Sequence, residues 1–161
     1  MPKAILHFKK LYPKIELSVV GLRSGDIVHQ LLENDLDIGI TFLPIEDAEF
    51  ESIPLFTEEL SLAVPKDHPF AYLNEVNFEQ LAHIDTVLLP NNYYLRQIID
   101  GHGEELGMTL KPVMELTTLG SLTQMVREGM GATILPAPYL DFLNDRDIVK
   151  VNLVNPTPMR Q

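Results

Sequence analysis

The chain reads as an α/β protein of two lobes between which the backbone crosses twice. Three observations predict this. Residues 15–41 run strand, helix, strand, the pattern of a right-handed parallel crossover. Strands and helices alternate again from Ile84 to Val154, and two proline-marked connectors, Pro65–Pro69 and Asn155–Pro158, separate the blocks. Lobe I is expected from residues 1–64 with 152–161, and lobe II from residues 65–151.

The elements follow in order. The first ten residues set Ile5, Leu6 and Phe8 among Lys3, Lys9 and Lys10, which predicts a helix that Pro13 stops. Ile15–Val20 is a strand candidate ended by Gly21. Ser24 is placed to N-cap a helix whose Ile27, Val28, Leu31 and Leu32 share one face. Asp35-Leu-Asp37 ends that helix, and Ile38–Thr41 is strand-like. Phe50–Phe56 and Leu60–Val64 are two further β-rich runs, joined by Glu58-Glu59. Phe78–Leu81 predicts a short helix, and Ile84–Leu89 a strand halted by Pro90-Asn-Asn92. Leu95, Ile98 and Ile99 mark a helix that runs to about Leu106, with Gly107 as its stop. Pro112–Leu116 is read as a strand, Thr118–Glu128 as a helix, and Gly131–Leu135 as a strand ended by Pro136 and Pro138. Ile148–Val154 is the last strand.

Composition narrows the function classes. Among 161 residues, 12 Lys and Arg face 23 Asp and Glu, for a net charge of −11. Residues 1–70 hold 6 basic and 12 acidic residues, and residues 71–161 hold 6 and 11, so neither half hides a basic face. Between Arg23 and Lys66 there is no Lys or Arg at all. A phosphate backbone is held mainly by clustered cations, so direct nucleic-acid binding by this chain is disfavoured. With 45% hydrophobic residues it should bury a core. No Cys is present, which excludes disulfides, thiolate metal sites and a cysteine nucleophile. No apolar run approaches the roughly 18 residues of a membrane span, and no signal-peptide pattern opens the chain, so a cytoplasmic location is expected.

Enzyme readings find little support. Ser61 and Ser121 lack a nucleophile elbow, and no Ser/His/Asp arrangement is legible. The five His are scattered, His102-Gly-Glu104-Glu105 lacks the i, i+4 pairing of a helical zinc site, and no metal or cofactor is expected. Gly101-His-Gly103 and Gly129-Met-Gly131 do not continue into phosphate-binding loops, and these glycines read as structural. The acidic run Glu46–Glu51 reads as a solvated loop and strand edge. In open α/β sheets a ligand binds at the carboxyl ends of the strands, where turns lead into helix N-termini. Those turns are Gly21–Ser24, Thr41–Pro44, Pro90–Tyr94, Thr117–Gly120 and Pro136–Pro138. Their Ser, Thr, Asn and backbone amides suit oriented hydrogen bonding better than bond breaking.

Five segments carry a resemblance in order along the whole chain. They are Phe8-Lys-Lys-Leu-Tyr12-Pro13-Lys-Ile15-Glu-Leu17; Leu31-Leu32-Glu-Asn-Asp35-Leu-Asp37-Ile38-Gly39-Ile40; Pro54-Leu55-Phe56 with Glu59-Leu-Ser-Leu-Ala-Val64; His68-Pro69; and Met125-Val126-Arg-Glu-Gly129-Met-Gly131-Ala-Thr-Ile134-Leu135-Pro136. In this register the chain resembles the effector-binding domain of LysR-type transcriptional regulators. The resemblance implies two Rossmann-like lobes of the periplasmic-binding-protein type II kind, with a co-inducer held in the cleft. It also implies a bacterial homodimer or tetramer built on the helix at Asp26–Asn34, and DNA binding only through a separate helix-turn-helix head. Against that pattern the match starts inside the first helix and stops before a closing strand and helix, so the resemblance implies a domain truncated at both ends. The absent first strand would lie between those at Ile15 and Ile38 and leave both without a neighbour.

Six residues are the effector-binding candidates. Arg160, after the second crossing, is brought by the family pattern beside the cleft floor, where a guanidinium grips a carboxylate with two prongs. Arg96 lies one turn into the helix after Pro90, and Arg23 beside Ser24 is a similar cation, though all three also fit a solvated surface. Thr118 is a helix cap, a ligand contact or both, and Thr41 follows Ile40 into the expected cleft. Asn91 and Asn92 either cap the next helix or meet the ligand. An acidic metabolite such as a di- or tricarboxylate is the expected effector. A solute-binding receptor of a transport system, which shares the fold, is the alternative.

Overall fold

The computed structural model describes residues 2–43, 45 and 50–161. It divides into two compact units, Met1–Ile40 and Thr41–Gln161. The strands of both expected crossings, around Leu60 and Val151, lie in the second.

In the first unit, α1 spans Pro2–Leu11 and α2 spans Ser24–Leu32. Both helices were legible. Lys9 and Lys10 fall in the last turn of α1, where cations suit the negative end of the dipole, and Lys9 Nζ donates to the Pro13 carbonyl (3.2 Å). Ser24 is not the cap of α2: Arg23 occupies that position, and its side chain makes no cap bond. The helix ends at Leu32 because Asn34 takes φ +61°, so that Asn34 N–H donates to Leu31 O and Asp35 N–H to Gln30 O. Ile27 and Leu31 of α2 pack so close to Gly39 that a methyl there would come within 2.5 Å of Ile27 Cγ2, which explains the glycine.

The expected strands Ile15–Val20, Ile38–Thr41 and Phe50–Phe56 are not strands. Among the described residues none of the three enters a ladder, and no parallel crossover forms over residues 15–41. A strand exists only through its neighbour, and here no neighbour presents its backbone. Their apolar side chains therefore stay out: Val20 is 56% exposed, Ile38 82% and Ile53 74%.

The second unit holds the core. Its main sheet runs β2 (Glu75–Asn77), β6 (Ile148–Val154), β1 (Glu58–Pro65), β5 (Thr133–Pro136), and β7 (Met159–Arg160) also pairs with β1. β1 is antiparallel to β5, β6 and β7, while β2 is parallel to β6. Leu60 to Val64 are consecutively buried rather than alternating, because both faces of β1 are covered. Phe78, Leu122, Val126, Ile134, Leu135, Val151 and Leu153 complete that core.

A second, parallel pair joins β3 (Val87–Leu88) to β4 (Met114–Glu115), and a parallel bridge from Thr86 to Ala132 ties it to the start of β5. α3 (Tyr94–Glu105), α4 (Leu119–Arg127) and α5 (Ala137–Leu143) follow β3, β4 and β5. Gly107 (φ +68°) and Gly129 (φ +77°) close α3 and α4 with the double hydrogen-bond pattern seen after α2. Gly131 answers a different need. A Cβ there would stand 2.6 Å from the Asp85 carbonyl oxygen, so only glycine admits the bridge. The segment Phe78–His83 is a 3-10 helix, capped reciprocally by Asn77 and Gln80. α5 was missed altogether. Pro138 was read as a breaker, yet it sits in the first turn of a helix, where a missing N–H is harmless.

Candidate functional site

Because β3, β4 and the start of β5 are parallel, the N-termini of α3, α4 and α5 all lie at one edge of these strands. That edge is the place the sequence reading chose. Asn91 and Asn92 are exposed in the turn before α3, closed by Tyr93 N–H donating to Pro90 O (3.0 Å). Neither asparagine caps the helix, since Tyr93 holds the cap position. Thr118 does cap α4. Its Oγ1 accepts from Ser121 N–H (3.1 Å) and lies 2.6 Å from Ser121 Oγ, whose own hydroxyl donates to the Thr118 carbonyl (2.9 Å).

Arg96 is not a surface cation awaiting a ligand. The residue is 7% exposed, and its Nε donates to Asp100 (2.8 Å), while Nη1 donates to Glu115 (2.9 Å) and to the Leu89 carbonyl (3.0 Å). Leu89 leads into the Asn91–Asn92 turn, and Glu115 ends β4 just before Thr118. The guanidinium thus fixes the two turns that present three of the candidates. Burial and these three acceptors engage the donors of Arg96, one of the effector candidates, within the protein.

Arg160 is set against Phe42, the residue that follows Thr41. Arg160 lies opposite Glu58 in the β1–β7 ladder, and its Nε and Nη2 both donate to Glu58 Oε2 (3.1 and 2.8 Å). Both side chains are largely buried, with relative exposures of 16% and 12%. The guanidinium carbon stands 4.8 Å from the centroid of Phe42, and Phe42 stacks on Tyr94 of α3 at 5.0 Å and 11°. The Tyr94 hydroxyl donates to the Leu43 carbonyl, and Leu43 N–H to the carbonyl of Gln161 (2.8 Å). Thr41, one residue before Phe42, has a hydroxyl shut off from solvent with no hydrogen-bond partner among the described residues. Glu58, Phe42 and Tyr94 are not among the effector-binding candidates that the sequence suggests. Glu58 and Arg160 are 102 residues apart and only strand register brings them together. Among the described residues no group of His, Asp or Glu is arranged to hold a metal ion, and no helix is long and apolar enough to cross a membrane.

The arrangement is a polar edge of helix N-termini on an α/β scaffold. The LysR substrate binding domain family matches residues 1–161. The DNA-binding transcriptional dual regulator OxyR of Escherichia coli (strain K12) is 30% identical over 161 residues, covering 99% of this chain and 53% of its own. The solved structure of the reduced form of OxyR matches with a TM-score of 0.81 at 29% identity, over 99% of this chain and 75% of that one. The effector-binding domain of QuiR in complex with shikimate matches in fold, with a TM-score of 0.83 at 19% identity, over 99% of this chain and 78% of that one. The chain spans about half the length of the curated relatives it matches. The chain belongs to the LysR substrate-binding domain family, with the periplasmic-binding-protein type II-like fold of its effector-binding domains. A LysR substrate-binding domain is a ligand-binding module and not an enzyme.

Proposed function

We propose that this chain senses a small carboxylate metabolite and relays its presence to a helix-turn-helix head that binds DNA. The supporting observation is Arg160, a guanidinium fixed over Phe42, the residue next to Thr41. Thr41, Asn91, Asn92, Thr118 and Arg160 are the proposed contacts, and Arg96 positions the turns that carry Asn91, Asn92 and Thr118. A di- or tricarboxylate is the preferred class, since a planar guanidinium pairs with a carboxylate through two parallel bonds. This chain has no cysteine, so no thiol of its own can carry a peroxide response. The same reading assigns residues 1–64 with 152–161 to one lobe and 65–151 to the other. It places the protein in the cytoplasm as a homodimer or tetramer built on α2.

Relay requires the effector to prefer one of two arrangements, since equal affinity for both shifts nothing. The test is a thermal-shift screen with citrate, succinate and shikimate on the 161-residue chain. A carboxylate should raise the melting temperature, and Arg160→Gln should remove that rise. A rise that survives Arg160→Gln, or no rise with any of the acids, ends the carboxylate reading. Light scattering tests the assembly: a monomer at every concentration argues against the α2 interface.

A further inference from the structure

We propose that Glu58 is a built-in stand-in for the effector's carboxylate, holding Arg160 until an acid displaces it. This rests on the reading of Arg160 as an effector contact and adds how that contact is regulated.

The pairing of the two side chains is incomplete. Both Arg160 donors converge on one oxygen, Glu58 Oε2, rather than making the two parallel bonds that a guanidinium offers a carboxylate. Among the described residues Arg160 Nη1 and Glu58 Oε1 bond to no protein group, and neither is among the buried unpartnered atoms, so both are open to water. The hydroxyl of Thr41, one residue before the ring beneath the guanidinium, is buried and has no partner among the described residues. An incoming carboxylate that binds Arg160 two-pronged replaces the single-oxygen contact of Glu58 with two parallel bonds.

The backbone does not need the pair. Glu58 and Arg160 are held opposite one another by the β1–β7 ladder, and Leu60 N–H donates to the Pro158 carbonyl (2.8 Å) next to it. The Arg160 side chain is also seated on Phe42, which Tyr94 supports from α3. Displacing Glu58 therefore leaves the guanidinium in place and turns a side chain at the head of β1, the strand that pairs with β5, β6 and β7. A side chain with two positions, coupled to a ligand that favours one of them, meets the requirement for a switch.

Isothermal titration with citrate and with succinate tests this on the 161-residue chain, on Glu58→Gln and on Arg160→Gln. Glu58→Gln should bind the better of the two acids about tenfold more tightly than the parent chain, because the competing charge is gone. Arg160→Gln should lose binding by about tenfold or more. If Glu58→Gln binds no more tightly while Arg160→Gln loses binding, the stand-in role is overturned and the carboxylate site survives. If neither acid binds even Glu58→Gln, or binding ignores Arg160→Gln, both readings fall. The Nε–H resonance of Arg160 in the unmodified chain provides a measure that needs no variant to fold. Saturating acid should shift it and change its exchange with water, and an unmoved resonance under saturation overturns the displacement.

Discussion

Among the described residues two threonine hydroxyls, Thr41 Oγ1 and Thr133 Oγ1, are buried without partners, and they separate function from stability at the level of single residues. A buried donor left unmade costs about 1–3 kcal/mol, and valine keeps the branched shape while removing the hydroxyl. Thr133 is fully buried on β5 opposite Ala63, inside the core. Thr133→Val should therefore raise stability by about 1 kcal/mol in urea denaturation and leave acid binding untouched. Thr41→Val should stabilise the ligand-free chain by a similar amount, yet lower the affinity of whichever carboxylate binds. A loss of stability in both variants would mean that the hydroxyls have partners after all. Arg96 shows the same separation from the other side. Its type and position suggested ligand binding, and only its acceptors at Leu89, Asp100 and Glu115 reveal a residue that holds the site's turns in place.

At the level of elements, close approach and capping decide more than propensity. Gly129 and Gly131 stand two residues apart and looked alike in the sequence. Gly129→Ala forces an alanine into the left-handed region, at about 1–2 kcal/mol. Gly131→Ala instead drives a methyl into the Asp85 carbonyl, with no flexible side chain able to yield. It should be the more destabilising of the two in chemical denaturation, because it also breaks the Thr86–Ala132 bridge between the two sheets. His68 offers a pH test of another element. Its Nδ1 accepts from Phe70 N–H (3.1 Å) and so caps the 3-10 helix Pro69–Tyr72, and burial holds its pKa below the ordinary 6.5. The unfolded chain then binds the proton more readily than the folded one, so stability should fall as pH drops beneath about 6.5. His68→Asn should flatten that part of a pH series of melts; an unchanged slope would assign it to other groups. Helix ends were legible at this scale, since Gly107 and Gly129 announce a positive φ. The helix Ala137–Leu143 was not, because Pro138 favours a first turn as readily as it breaks a later one. Thr118 as a cap was legible from local sequence, whereas the Glu58–Arg160 contact needed the register of β1 against β7.

For the whole molecule, hydrophobic pattern and hydrogen-bonded structure part company between the two units. Residues 60–64 and 15–20 are both β-rich in sequence, but only the first run has neighbours on each side. Leu60, Leu62 and Val64 are completely buried between β5 and β6, whereas the residues of the Met1–Ile40 unit include none that is buried among those described. Among the described residues no backbone N–H from residues 16–22 or 37–42 finds an acceptor. Apolar residues that alternate along a strand stabilise a fold only once a partner fixes their faces. Local opening energies run from near zero up to the global stability, and they follow buried contacts and backbone pairing. Amide exchange on the 161-residue chain should therefore show two regimes. Amides of β1 and β6 should exchange only through global unfolding, and those of residues 16–22 and 37–42 at close to the rate of an unstructured peptide. Intermediate protection is expected inside α1 and α2, whose hydrogen bonds are local. If residues 16–22 are protected as strongly as β1, they pair with a strand in solution. The protein would then complete its first sheet by association, and protection that rises with concentration would identify the second copy of this chain as the donor.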